Sequence, residues 1–221
     1  MVREIRTLIL QESIIEWRLR YAINGILLYL ISVIFISYLS FRSQVSSLNP
    51  LVWNTLFWII ILFTAINAVT KSFIQLNRGR LIYYYSIANP VAIILSKIIY
   101  NALMLMLIAT IGFIMYSLVL GNPVEDIGLF MANILLGALG FSGVLTMNSG
   151  IASKAANSTT LMAILSFPVV LPMLLVIMRI SKNAIEGLDW SASYGPITYL
   201  CAIDIIVITI STILFPYIWR S

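Results

Sequence analysis

The sequence predicts an all-α polytopic membrane protein, with six transmembrane helices preceded by an amphipathic interfacial helix. Two observations predict it. Of 221 residues, 61% are hydrophobic and 10% charged, with a mean hydropathy of +1.03, whereas a soluble domain is about half apolar and about a quarter charged. Six separate stretches also reach the roughly 20 apolar residues needed to cross about 30 Å of hydrocarbon at about 1.5 Å per residue. One membrane domain over residues 1–221 is therefore expected.

Residues 1–20 read as an amphipathic helix at the membrane interface. Ile5, Leu8, Ile9, Ile15 and Leu19 fall near one face, and Arg3, Arg6, Glu12, Glu16 and Arg20 mostly elsewhere. Charged throughout, this segment has neither the apolar core nor the small-residue cleavage site of a secretory signal. The spans follow at about 22–41, 51–70, 91–120, 127–147, 158–180 and 197–218. Turn residues separate them: the Ser43–Pro50 run, Gly121-Asn122-Pro123, and Gly195-Pro196, each expected to stop one helix and start another.

Basic loops are retained on the cytoplasmic side, so lysine and arginine set the orientation. With both ends inside, Arg3, Arg6, Arg18, Arg20, Lys71, Arg78, Arg80, Lys97, Lys154 and Arg220 are cytoplasmic, leaving Arg42, Arg179 and Lys182 outside, 10 against 3 of the 13. The net charge of +5 thus reads as a topology signal and not as a nucleic-acid footprint. A lone cysteine, Cys201, excludes an internal disulfide, a CxxC redox pair and a CxxCH haem attachment site. The absence of histidine removes the commonest general base, metal ligand and axial haem ligand. No phosphate-binding loop, HExxH or GxSxG motif is present. The chain is expected to be no enzyme, so energy from ATP must enter through another subunit.

Five features stand out. Residues 71–90 (KSFIQLNRGRLIYYYSIANP) form the longest cytoplasmic connection and mix basic residues with Phe73, Ile74, Leu81, Ile82 and Tyr83 to Tyr85. They read either as an aromatic and basic anchor at the headgroups or as a docking surface for a cytoplasmic partner. Gly137, Gly140 and Gly143, with Ala138 and Ser142, give the fourth span a small-residue stripe that lets a neighbouring helix approach. Pro168 and Pro172 remove two backbone donors from the fifth span, which should bend or break there, as a static kink or a hinge. Asp204 lies well within the sixth span; it either reaches the interface, accepts hydrogen bonds from Ser or Thr neighbours, or serves transport or gating. Lys97, about two turns into the third span, is read as snorkelling to the cytoplasmic surface.

The most specific run is Leu136-Gly137-Ala138-Leu139-Gly140-Phe141-Ser142-Gly143, then Lys154, then Leu161 through Pro168-Val169-Val170-Leu171-Pro172. With Gly79-Arg80-Leu81, Asn89-Pro90 and Lys97, it resembles the heme exporter protein B (CcmB) family, the membrane subunit of the ABC-type complex of System I cytochrome c maturation. The resemblance runs over most of the chain and implies an ABC-exporter-type permease domain in the bacterial cytoplasmic (inner) membrane. It implies coupling of ATP hydrolysis by the partner CcmA to haem delivery or to release of the haem-loaded chaperone CcmE. CcmC and the small subunit CcmD are the further partners it implies. Gly79, Leu81, Ile82 and Tyr83 then become ATPase-coupling candidates. No haem is expected on this chain itself; the complex handles it. A permease for lipid-linked sugars or drugs, or a membrane anchor for an ATPase, would share the six-span layout.

Overall fold

The computed structural model describes residues 1–18, 21–41, 48–74, 89–153 and 158–220. The described residues form seven helices: α1 Val2–Arg18, α2 Tyr21–Phe41, α3 Pro50–Ile74, α4 Pro90–Leu120, α5 Ile127–Ala152, α6 Ser158–Ile185 and α7 Trp190–Arg220. All but α1 are long and apolar enough to cross a membrane. Each expected span is present, and most run past the expected ends.

Local chemistry sets several of those ends. Asn89 caps α4, its side chain accepting from Val91 N–H at 3.0 Å, with Pro90 at the first helical position where a missing N–H costs nothing. Asp126 caps α5 by accepting from Leu129 N–H at 2.9 Å. Helix α6 ends on Gly187, whose φ of +63° suits glycine. Leu188 N–H then bonds back to the Asn183 carbonyl at 3.0 Å, closing the last turn.

One expectation is corrected here and another narrowed. Gly195-Pro196 does not separate helices: it lies inside α7, which begins at Trp190, and the turn falls at Gly187 instead. Proline at position 196 leaves the Ala192 carbonyl without its helical donor. The Asn183 amide approaches that carbonyl at 3.4 Å and donates to Ser193 Oγ at 2.9 Å, so the helix survives the loss. Of the bend or break expected at Pro168 and Pro172, the break does not occur: α6 continues as one helix through both. They sit four residues apart on its exposed face.

Helix α5 is the hub of the bundle, packed against α3, α4, α6 and α7. Its three glycines lie where neighbours come closest. A Cβ on Gly137 would meet the Trp58 ring and Ile177; on Gly140 it would collide with Met173 and Asp204; on Gly143 it would press on Val207 at 3.1 Å. Beside this, Trp53, Phe57, Trp58, Phe113, Tyr116 and Phe130 interlock in one aromatic cluster joining α3, α4 and α5. Trp53 Nε1 donates to the Gly121 carbonyl at 2.9 Å, and Tyr116 donates to the Trp53 carbonyl at 3.2 Å. The start of α3 is thereby fastened to the end of α4.

Candidate functional site

Helices in lipid lack a hydrophobic driving force between them, so close packing and interhelical hydrogen bonds, the latter worth about 0.6 kcal/mol each on average, hold them together. The bundle has two such levels. At one end, Asn54 (α3) donates to the Met178 carbonyl of α6 at 2.9 Å. Ser181 Oγ of α6 there accepts from both Trp58 Nε1 and Asn133 Nδ2 at 2.7 Å. Toward the other end, Asn101 (α4) donates to Thr146 Oγ1 (α5) at 2.8 Å. At that level Asn148 (α5) donates to Ser166 Oγ (α6) at 3.0 Å. These pairs join amides to hydroxyls and carbonyls; they bond helix to helix.

Asp204 is the exception. It is 2% exposed, both carboxylate oxygens lack a hydrogen-bond partner among the described residues, and its carboxylate sits against the bare Cα of Gly140. It therefore neither reaches an interface nor accepts from a Ser or Thr neighbour, because α5 and α6 close over it. The Oδ1 atoms of Asn54 and Asn133 are likewise unpaired.

Lys97 also departs from the sequence reading. Its side chain is 3% exposed, and Nζ lies 2.8 Å from Glu12 Oε1 of α1. Snorkelling is unnecessary, since α1 delivers a carboxylate to it. Glu4 Oε1 accepts from Asn89 N–H at 2.9 Å, and Tyr100 donates its hydroxyl to Glu16. Those three contacts bridge 85, 85 and 84 residues of sequence. A constant offset means that α1 runs beside α4 in the same direction and in step with it.

Near the aromatic cluster a cleft of about 410 Å³ opens between the start of α3, the α4–α5 connection and the end of α6, lined by Asn49, Asn54, Pro123, Glu125, Lys182 and Glu186. Lys182 and Glu186 pair at its rim at 3.6 Å. The segments ending or starting at Asn49, Pro123 and Glu186 thus share one end of the bundle, and Asn89 with the α1 contacts lies at the other.

Of the residues singled out in the sequence, Gly137, Gly140, Gly143 and Asp204 converge on the interior around α5. Pro168 and Pro172 face away from it. Gly79, Leu81, Ile82, Tyr83 and Lys154 lie outside the described residues. The asparagines and the acidic stripe of α1 escaped the sequence reading. Their signal was present: a lysine inside an apolar span needs a partner, and Glu4, Glu12 and Glu16 recur at helical spacing on the one charged helix.

These features define a polytopic helical membrane subunit. The sequence profile of the CcmB protein family matches residues 3–220, and the chain belongs to that family, the heme exporter protein B family. The family implies a membrane subunit of a haem-exporting ABC complex that also has an ATP-binding subunit. No curated protein matches the chain.

Proposed function

We propose that this chain is the permease subunit of a cytochrome c maturation complex, taking up ATP-driven motion from CcmA and using it to release the haem-loaded chaperone CcmE from its membrane partners, CcmC and CcmD. The observation that carries the proposal is the family match over residues 3–220. In support, the sequence carries no ATP-binding loop, the stretch 74–88 is apolar and basic in composition, and Asn89, which follows it, lies at the end of the bundle where α1 packs. Gly79, Leu81, Ile82 and Tyr83 are the proposed contacts with the ATPase. Both termini are cytoplasmic in this reading, and the chain forms one permease domain. In this reading it holds no haem of its own: histidine, the commonest axial ligand, is absent from the chain and cysteine is single.

Deleting the chain tests this directly. All covalently haemylated c-type cytochromes should disappear while b-type cytochromes remain. Haem-bound chaperone should accumulate on the membrane complex, since ligand stays in the state that binds it best unless a differential energy shifts the equilibrium. Normal haem-stained c-type cytochromes in the deletion strain would reject the assignment. Cytochrome loss with an empty chaperone would keep the family role and reject the release step.

A further inference from the structure

Helix α7 turns one narrow face inward. Leu200, Asp204, Val207 and Ser211 recur at helical spacing and are buried, while Ile205, Ile206 and Ile210 between them stand exposed. That inner face lies on α5, where Asp204 sits against the bare Cα of Gly140 and Val207 over Gly143. Among the described residues no hydrogen bond joins the two helices. The buried amides and hydroxyls of α5 turn to α4 and α6, and Thr198, Ser211 and Thr212 donate to carbonyls of α7 itself. Asn183 of α6 ties α7 at its Trp190 end, through Ser193. Between α5 and α7 packing alone holds, and in the middle of that packing stands a carboxyl group.

No charge on the neighbouring helices answers it. Helix α5 has no titratable residue from Ile127 to Ala152. On α6, Arg179 and Lys182 are exposed, and the side chain that meets Gly140 beside Asp204 is the thioether of Met173. On α4, which also packs on α7, Lys97 lies 2.8 Å from Glu12, Tyr100 donates to Glu16 and Tyr116 to the Trp53 carbonyl. On α7 itself Tyr194, Tyr199 and Tyr217 are exposed, Cys201 is half-buried, and Arg220 is about 24 Å further along the helix. A carboxylate enclosed without water, counter-charge or donor has nothing to offset its desolvation, so in this packing Asp204 carries its proton. Both oxygens remain without a partner even so. An apolar side chain would fill the seam without leaving a polar group unpaired, which makes the acid a functional candidate.

We propose that the seam between α5 and α7 is a proton-operated latch that the working complex opens and closes. With its proton on, Asp204 lies against Gly140 and the seam is closed. When the seam parts, water enters, the carboxyl O–H bond breaks, the proton passes to water, and the carboxylate left behind is hydrated. Proton release therefore stabilises the open seam and proton binding the closed one, by the same factor. Gly140 and Gly143 suit this movement, because they present no side chains to unthread from α7. That the complex uses the opening rests on the permease reading above; the latch itself does not.

The experiment uses the assembled complex in lipid nanodiscs, with a Cys201→Ser chain carrying spin labels at exposed Leu135 of α5 and Ile206 of α7. Raising the pH from about 5 to about 9, a range wide enough for displaced carboxyl groups, should add a longer distance between the labels. Asp204→Asn, which keeps the shape and cannot ionise, should hold the shorter distance throughout. A distribution that ignores pH in the unaltered chain overturns the latch, and so does a pH response that survives in Asp204→Asn. Asp204→Leu is the second variant: it removes the unpaired group, so the protein should unfold at a temperature no lower than before. In both variants c-type cytochrome per inserted molecule should still fall at least about fivefold, the low end of a typical coupling. Yield that holds in both overturns the use of the latch by the complex. Yield that falls only in step with inserted protein or with unfolding temperature makes Asp204 a packing residue, and overturns it as well. The permease reading is judged apart, by the deletion strain: if c-type cytochromes persist there, that reading fails and the label distances alone decide the latch.

Discussion

Single glycines in this bundle differ by what stands opposite them. On α5, Gly140 faces Met173 and the buried carboxylate of Asp204, so that even one methyl group collides with both. On α2, Gly25 has nothing within 4 Å of where a Cβ would stand. The same substitution should therefore act with opposite signs. Gly140→Ala should destabilise the purified protein by about 1–3 kcal/mol, the usual cost of overpacking a core. Gly25→Ala should instead stabilise it by up to about 1 kcal/mol through helix propensity. Thermal unfolding in detergent, followed by intrinsic tryptophan fluorescence, checks both; a Gly140→Ala midpoint at or above the unmodified one would refute the packing at that site. The asparagines tell a related story. A sequence reading that weighs only charge passes over Asn133, yet its amide donates to both the Ile177 carbonyl and Ser181 Oγ. In an apolar interior, the unsatisfied alternative is what gives such a bond its weight.

At the scale of the element, the end of α6 shows how a turn is chosen. Two glycine signals compete for the start of the last helix, Gly187 and Gly195-Pro196. Gly187 prevails because it adopts a positive φ and lets the Glu125 carboxylate lie directly on its Cα. Gly187→Ala meets two obstacles, a left-handed backbone that costs an L-residue about 1–2 kcal/mol and a clash with Glu125. Adding Glu125→Ala removes the clash alone. A double-mutant cycle should then recover part of the lost stability and leave the backbone share, and strict additivity would show that Glu125 does not press on this turn. Helix α6 also carries Pro168 and Pro172. If the pair is a working hinge, replacing both with Ala should trap haem-bound chaperone on the complex just as deletion does, with normal insertion. Unimpaired cytochrome maturation would leave a static feature of an otherwise continuous helix.

For the whole molecule, the connections at Asn49, Pro123 and Glu186 gather at one end and the α1 contacts with α4 at the other, which is the arrangement six alternating spans require. In the proposed orientation, the basic asymmetry of 10 to 3 puts the α1 end in the cytoplasm. Single cysteines at Ser46, Asn122 and Ser191 in a Cys201→Ser background should react with an impermeant thiol reagent added to intact cells. Those at Gly79 and Ser153 should react only after permeabilisation. Reversal of that pattern would put the protein upside down.

By itself, the sequence determined the solvent, the number of spans and their approximate bounds, because hydropathy sums over 20 or more residues and small errors cancel along each stretch. It also marked Gly137, Gly140 and Gly143 as a face of close approach, since small residues at helical spacing carry one meaning in a membrane helix. Only the tertiary structure decided what those residues approach. It carried α7 through Gly195-Pro196, because the Asn183 amide, twelve residues before that glycine in the chain, stands at the carbonyl the proline leaves free. It also turned Lys97 from a cation reaching for water into the partner of Glu12, 85 residues away. Periodicity describes one helix at a time. A buried charge, an orphaned carbonyl or a methyl-sized gap is answered by whichever other helix lies beside it, and that neighbour is fixed by packing in three dimensions.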